Sequence, residues 1–101
     1  YINSLLNKAE SYITDENWSK AIICYEISQN FDYSTINNPL VVRNFIKCLV
    51  KTNQKDLAEN LIHHLIDITN NDYNECKYIA EMYDIMSDNE NSVKYMEMYI
   101  H

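Results

Sequence analysis

A chain of 101 residues and 12.0 kDa, 47% hydrophobic and 23% charged, has room for one compact domain with one modest core and none for a second. Fifteen acidic residues against eight basic ones give a net charge of -7, which opposes binding along a nucleic-acid backbone. With no glycine and one proline, the chain lacks glycine hairpin turns, flexible linkers and the glycine loops that cradle phosphates, which excludes the common nucleotide-binding enzymes.

No apolar run reaches the roughly 18 to 20 residues of a membrane span, and no basic-then-apolar leader opens the sequence, so a soluble, cytoplasmic protein is expected. The chain begins at Tyr1 rather than Met and is read as part of a longer protein. Cys24, Cys48 and Cys76 are odd in number and too widely spaced for a CxxC pair, which points to buried free thiols rather than disulfides or a zinc knuckle.

In chain order, Ile2, Leu5, Leu6, Ala9, Tyr12 and Ile13 follow the 3.6-residue period and predict an amphipathic helix. The polar run Thr14 to Asn17 ends it. Asn17 is positioned to cap a second helix with Trp18, Ala21, Ile22 and Tyr25 on one face, and so short a connection makes the two helices antiparallel neighbours. After a looser stretch from Phe31 to Ile36, Asn38 followed by Pro39 is an N-cap with proline at the first helical position.

The third helix shows Val42, Phe45, Ile46, Leu49 and Val50; Thr52 to Gln54 break it before a fourth with Leu57, Ala58, Leu61, Ile62, Leu65 and Ile66. A break at Asn70, Asn71 and Asp72 precedes a fifth helix with Cys76, Ile79, Ala80, Tyr83 and Met86. Ser87 to Asn91 then turn into a sixth with Val93, Met96, Tyr99 and Ile100. No segment alternates with period two over strand length, so the expected fold is all-α: three antiparallel hairpins over about 2–34, 39–70 and 72–101.

Superposing the hairpins in sequence puts Ala9, Ile46 and Ala80 in one column and Tyr12, Leu49 and Tyr83 in another, with spacings of 37 and 34 residues in both. The second helices give a column of Ala21, Ala58 and Ser92, followed four residues later by Tyr25, Ile62 and Met96. Small residues at one position let helices approach closely while large ones fill the space beside them, the pattern of a stacked helical repeat.

These columns resemble the tetratricopeptide repeat, a 34-residue helix-turn-helix with small and aromatic positions at this spacing. The stretch from Asn17 to Glu26, with Trp18, Ala21 and Tyr25, is the closest match, whereas Ala or Ile stands where the family has a first-helix glycine. The resemblance implies a right-handed solenoid whose first helices line a concave surface that grips extended peptides or helices. A non-repeat helical bundle is the other arrangement the periodicity allows.

Glu59, His63 and Asp67 share a helix face at four-residue spacing, but charged residues opposite an apolar stripe are what any amphipathic helix shows to water, so no metal, cofactor or catalytic group is expected. The basic residues are more informative. Arg43, Lys47, Lys51 and Lys55 hold half of the chain's positive charge, and the first three form a stripe on the third helix with Asn44 beside it.

The resemblance would place that stripe in the concave groove, joined by Asn3, Leu6 and Glu10 on one side and by Lys77, Glu81 and Asp84 on the other. Arg43, Asn44, Lys47, Lys51 and Lys77 are therefore the expected contacts for a protein or peptide carrying an acidic or carboxylate-bearing segment. The plainer alternative is a solvated surface stripe. Tyr1, Tyr73, Tyr78 and Tyr95 fall near the edges of their stripes, where an amphipathic ring suits an interface.

Tyr95, Met98 and Tyr99 give the last helix an apolar surface suited to a further repeat or a homodimer partner. The expected function is a non-catalytic binding module. A sharper form is the peptide-sensing part of a bacterial regulator, because the bias toward Asn, Ile, Tyr and Lys, all with AT-rich codons, and the degenerate repeats resemble peptide-pheromone receptors of low-GC bacteria. The alternative is a structural subunit that self-associates through its terminal hairpin.

Overall fold

A computed structural model describes residues 2–70 and 72–100. Among these described residues six α-helices follow one another: α1 (Ile2–Thr14), α2 (Trp18–Phe31), α3 (Pro39–Lys51), α4 (Lys55–Thr69), α5 (Tyr73–Ile85) and α6 (Asn89–Ile100). A short 3-10 helix, Tyr33–Asn37, fills the stretch expected to be loose; its start is fixed by Asp32, whose side chain accepts the Ser34 backbone N–H. No strand occurs among the described residues, and no helix among them is long and apolar enough to cross a membrane.

Each helix packs on its sequence neighbour, α1 on α2, α3 on α4 and α5 on α6, and α3 also touches α1, α2 and α5. The result is elongated, 41 × 25 × 21 Å, with α3 at its centre. The core follows the columns: Ala9, Ile46 and Ala80 are each 0% exposed, Leu49 and Tyr83 are buried, and so are Ala21, Ala58, Tyr25 and Ile62. Tyr25 stacks on Phe45 at 5.4 Å between ring centroids, joining the first hairpin to the second.

The turns inside the three hairpins have the same backbone geometry. Glu16, Asn53 and Ser87 adopt positive φ (58°, 62° and 63°) at the 37- and 34-residue spacing of the side-chain columns. In each, the N–H of the next residue reaches back to the large-residue column: Asn17 to the Tyr12 carbonyl (2.7 Å), Gln54 to Leu49 (2.9 Å) and Asp88 to Tyr83 (2.9 Å). The positive-φ residue itself donates to Ile13, Val50 or Asp84. This paired bonding satisfies carbonyls that a helix end leaves open.

Glycine normally takes the left-handed position, and the chain has none. The turns instead form with Glu, Asn and Ser, each of which pays for its Cβ in steric energy. Ser87→Gly is therefore expected to raise stability by about 0.5 to 1 kcal/mol, net of the added freedom of the unfolded chain. Asn53→Gly should gain less, because Asn tolerates this region. Urea unfolding midpoints check both, and a midpoint lowered by Ser87→Gly would show that the side chain, not the backbone, matters there.

The helix starts correct one expectation. Asn38 caps α3 as read, its side chain accepting the Leu40 N–H at 3.0 Å ahead of Pro39. Asn17 makes no side-chain cap bond to α2; its backbone is fixed by the turn, its N–H bonded to Tyr12 and its carbonyl to the Ala21 N–H. At the third turn a side chain does cap: Asp88 accepts the Asn91 N–H at 3.3 Å and the Asn91 amide at 2.8 Å, which holds its carboxyl below the usual range. α6 consequently begins at Asn89, inside the segment expected to be turn.

Candidate binding face

Because α3 touches both flanking hairpins, its cations reach in two directions. Arg43 turns toward α5. Its Nε lies 3.7 Å from Glu75 Oε2, its guanidinium sits 5.9 Å from the centre of the Tyr78 ring, and its carbonyl accepts the Tyr78 hydroxyl. Asn44 and Lys47 turn toward the first hairpin: the Asn44 side chain lies beside the Tyr25 hydroxyl, and Lys47 Nζ lies 5.7 Å from the centre of the Trp18 ring.

Lys51 is exposed in the last turn of α3, where a cation also complements the helix dipole. Lys77 is exposed on α5 with its Nζ 5.8 Å from the Tyr99 ring. The structure thus keeps Arg43, Lys47 and Lys51 on one helix face but divides their partners. Arg43 ties the second hairpin to the third, Asn44 and Lys47 are half-buried toward the first, and Lys51 and Lys77 are the more open charges. Sequence spacing located the stripe; it missed Glu75, Tyr78 and Trp18 as its partners, since pairs so distant in sequence carry no periodic signal.

Burial dominates the titration of the groups beneath this face. It pushes the Tyr25 hydroxyl up to about 12 against the lowering effect of Asn44, raises Tyr78 further despite nearby Arg43, and moves the Cys48 thiol to about 11. Cys48 is therefore a protonated thiol at neutral pH, not a thiolate nucleophile. All three cysteines are free and buried, as their spacing suggested.

At the far end, Tyr95 is not an edge residue. It is buried and stacks on Tyr83 with ring centroids 5.7 Å apart and planes 8° from parallel, because the packing of α6 on α5 turns it inward. Met98 is half-buried, and Tyr99 is 37% exposed. Tyr1, Asn71, His101 and the Tyr73 side chain lie outside the described residues. On α4, His63 Nε2 is 3.9 Å from Glu59 Oε1, Asp67 is exposed, and among the described residues no group of three His, Cys, Asp or Glu side chains is placed to hold a metal.

An apolar cleft of about 250 Å³ lies between α2, α3 and α4, with Phe45, Leu49, Leu57 and Leu61 in its lining. Phe45 and Leu49 project from the side of α3 opposite the cation stripe, so this cleft and the stripe are separate surfaces. The chain matches no protein-family model, and no curated protein shows significant similarity to it.

Proposed function

We propose that the chain is a protein- or peptide-binding module of three tetratricopeptide-like hairpins stacked as a solenoid, without catalysis of its own. The observation that carries this reading is the shared turn: three hairpins with a left-handed residue at the same place and the same pair of backbone bonds, in register with the small and large columns, which are buried except for half-buried Tyr12, Ser92 and Met96. Contact of α1 with α3 and of α3 with α5 agrees with it, since stacked repeats set their first helices side by side. Such stacks expose an extended face suited to a peptide or helix.

The occupant fitted by this face carries an acidic or carboxylate-bearing segment, held by Arg43, Lys47, Lys51 and Lys77, with Glu10, Glu81 and Asp84 meeting basic residues beside it. Its place is the cytoplasm, in keeping with three reduced, buried thiols, and sensing a peptide within a bacterial regulator is its sharper form.

The test compares wild type with Lys47→Glu, Lys51→Glu, which leaves the Arg43 tie intact, in partner capture from lysate followed by calorimetry on the purified partner. Binding should fall at least tenfold while the domain stays folded, with stability lowered by no more than about 2 kcal/mol for the lost Trp18 contact and the reversed charge at the helix end. A partner held equally by both proteins removes the stripe from the reading. Self-association through the terminal hairpin is a second reading favoured by exposed Val93 and Tyr99 on α6; a strict monomer in sedimentation at high concentration removes it.

A further inference from the structure

The pairing of Arg43 with Glu75 is incomplete. At 3.7 Å the two groups attract but do not hydrogen-bond, and Arg43 Nε and Glu75 Oε2 are both buried without a hydrogen-bond partner. Charge-assisted bonds between guanidinium and carboxylate close to about 2.7 to 2.9 Å, commonly in pairs. Glu75 is 14% exposed, whereas the Arg43 side chain is 37% exposed. The guanidinium thus offers part of its donor set to solvent on the α3 face that it shares with Lys47 and Lys51.

Glu75 also has somewhere to rest without Arg43. It occupies the first turn of α5, where the helix dipole favours a negative charge whether or not a cation is near. Tyr78, one turn further along, keeps the arginine in place by its ring, 5.9 Å from the guanidinium, and by donating its hydroxyl to the Arg43 carbonyl. The arginine is thus held by Tyr78 without need of the loose ion pair.

We infer that Glu75 is an internal competitor for Arg43: a carboxylate from a binding partner takes the guanidinium in a bidentate pair by displacing Glu75, and so loosens the tie between α3 and α5. The inference rests on the α3 cations being a binding face. Its energetic logic is exchange, since the partner's carboxylate gains two charge-assisted bonds where Glu75 makes none, and leaving both carboxylates beside one guanidinium would set like charges together. Linkage makes the effect reciprocal: whatever detaches Glu75 strengthens carboxylate binding, and carboxylate binding detaches Glu75.

The probe is an end-blocked peptide of two adjacent glutamates flanked by lysines, with a glutamine-for-glutamate version as control, titrated by calorimetry at low salt. Glu75→Gln should bind the acidic probe roughly fivefold more tightly than wild type, the scale set by a partly exposed ion pair. Arg43→Gln should abolish that gain, and the control peptide should not distinguish the proteins. Equal affinity in wild type and Glu75→Gln overturns the competitor.

Binding that is weakened by Lys47→Glu, Lys51→Glu yet unchanged by Glu75→Gln overturns it while leaving the binding module standing. No binding to wild type or Glu75→Gln also overturns it, and the module is then judged by partner capture. A second measurement needs no variant at the pair: in isotopically labelled wild type, the Glu75 side-chain carboxyl carbon resonance should move on adding the acidic probe but not the control. A resonance unmoved at saturation counts against displacement.

Discussion

Replacing Ala58 with tryptophan is expected to destabilise the domain by about 3 kcal/mol or more, because the site is fully buried on α4, which packs on α3, and leaves no space for an indole. Ala58 is 0% exposed, and its N–H is bonded to the Gln54 carbonyl of the turn, so neither side chain nor backbone can move aside without opening the hairpin. The adjacent residue supplies the control. Leu57 is 52% exposed, and Leu57→Trp should change stability by no more than about 0.5 kcal/mol. Urea denaturation of the two variants separates them; equal stabilities would mean that the small-residue column is not the helix crossing point.

Truncating Tyr83 to alanine should cost about 3 to 5 kcal/mol, a large share of what a domain of this size has to lose. Its ring is 1% exposed and lies flat against Tyr95, so it fills the space between α5 and α6, while its carbonyl accepts the Asp88 N–H that sets the turn. Burial holds its hydroxyl protonated, pushed up to about 12, which marks the ring as packed matter rather than a titrating group. Tyr83→Phe keeps the ring and should retain most of the stability. Thermal unfolding checks the pair: Tyr83→Ala is expected to lower Tm by roughly 15 °C or more, and a shift of only a few degrees would show that α6 does not depend on this contact.

Much of the fold was legible because its signal is local. Apolar spacing of three and four residues places Leu5, Ala9, Ile46, Leu49, Ala80 and Tyr83 on inward faces, and Asn38 with Pro39 marks the start of α3 by the chemistry of one cap. The columns of small and large residues were legible for a related reason: they recur at the same spacing as the turns between the paired helices. The turns were read in the right places, but their left-handed residues were not. Glycine is the usual way to reach positive φ, yet a turn fixed by two backbone bonds and by packing on both sides can force Glu16 or Ser87 there.

The candidate face was legible in part. Four-residue spacing put Arg43, Lys47 and Lys51 on one stripe, and that much is a property of any helix. Nothing in the sequence indicated that Arg43 meets Glu75 and Tyr78 while Lys47 meets Trp18, or that Tyr95 faces inward on Tyr83.

The sequence by itself determined six helices, their three hairpins and the inward residues, because helix periodicity, short connections and caps act over a few residues and are written into every turn of the chain. Only the tertiary structure decided which charges are spent between hairpins and which remain open. That choice depends on how α3 is seated against α1, α2 and α5, where a side chain finds its partner through packing geometry set by the whole core, not by its neighbours in sequence.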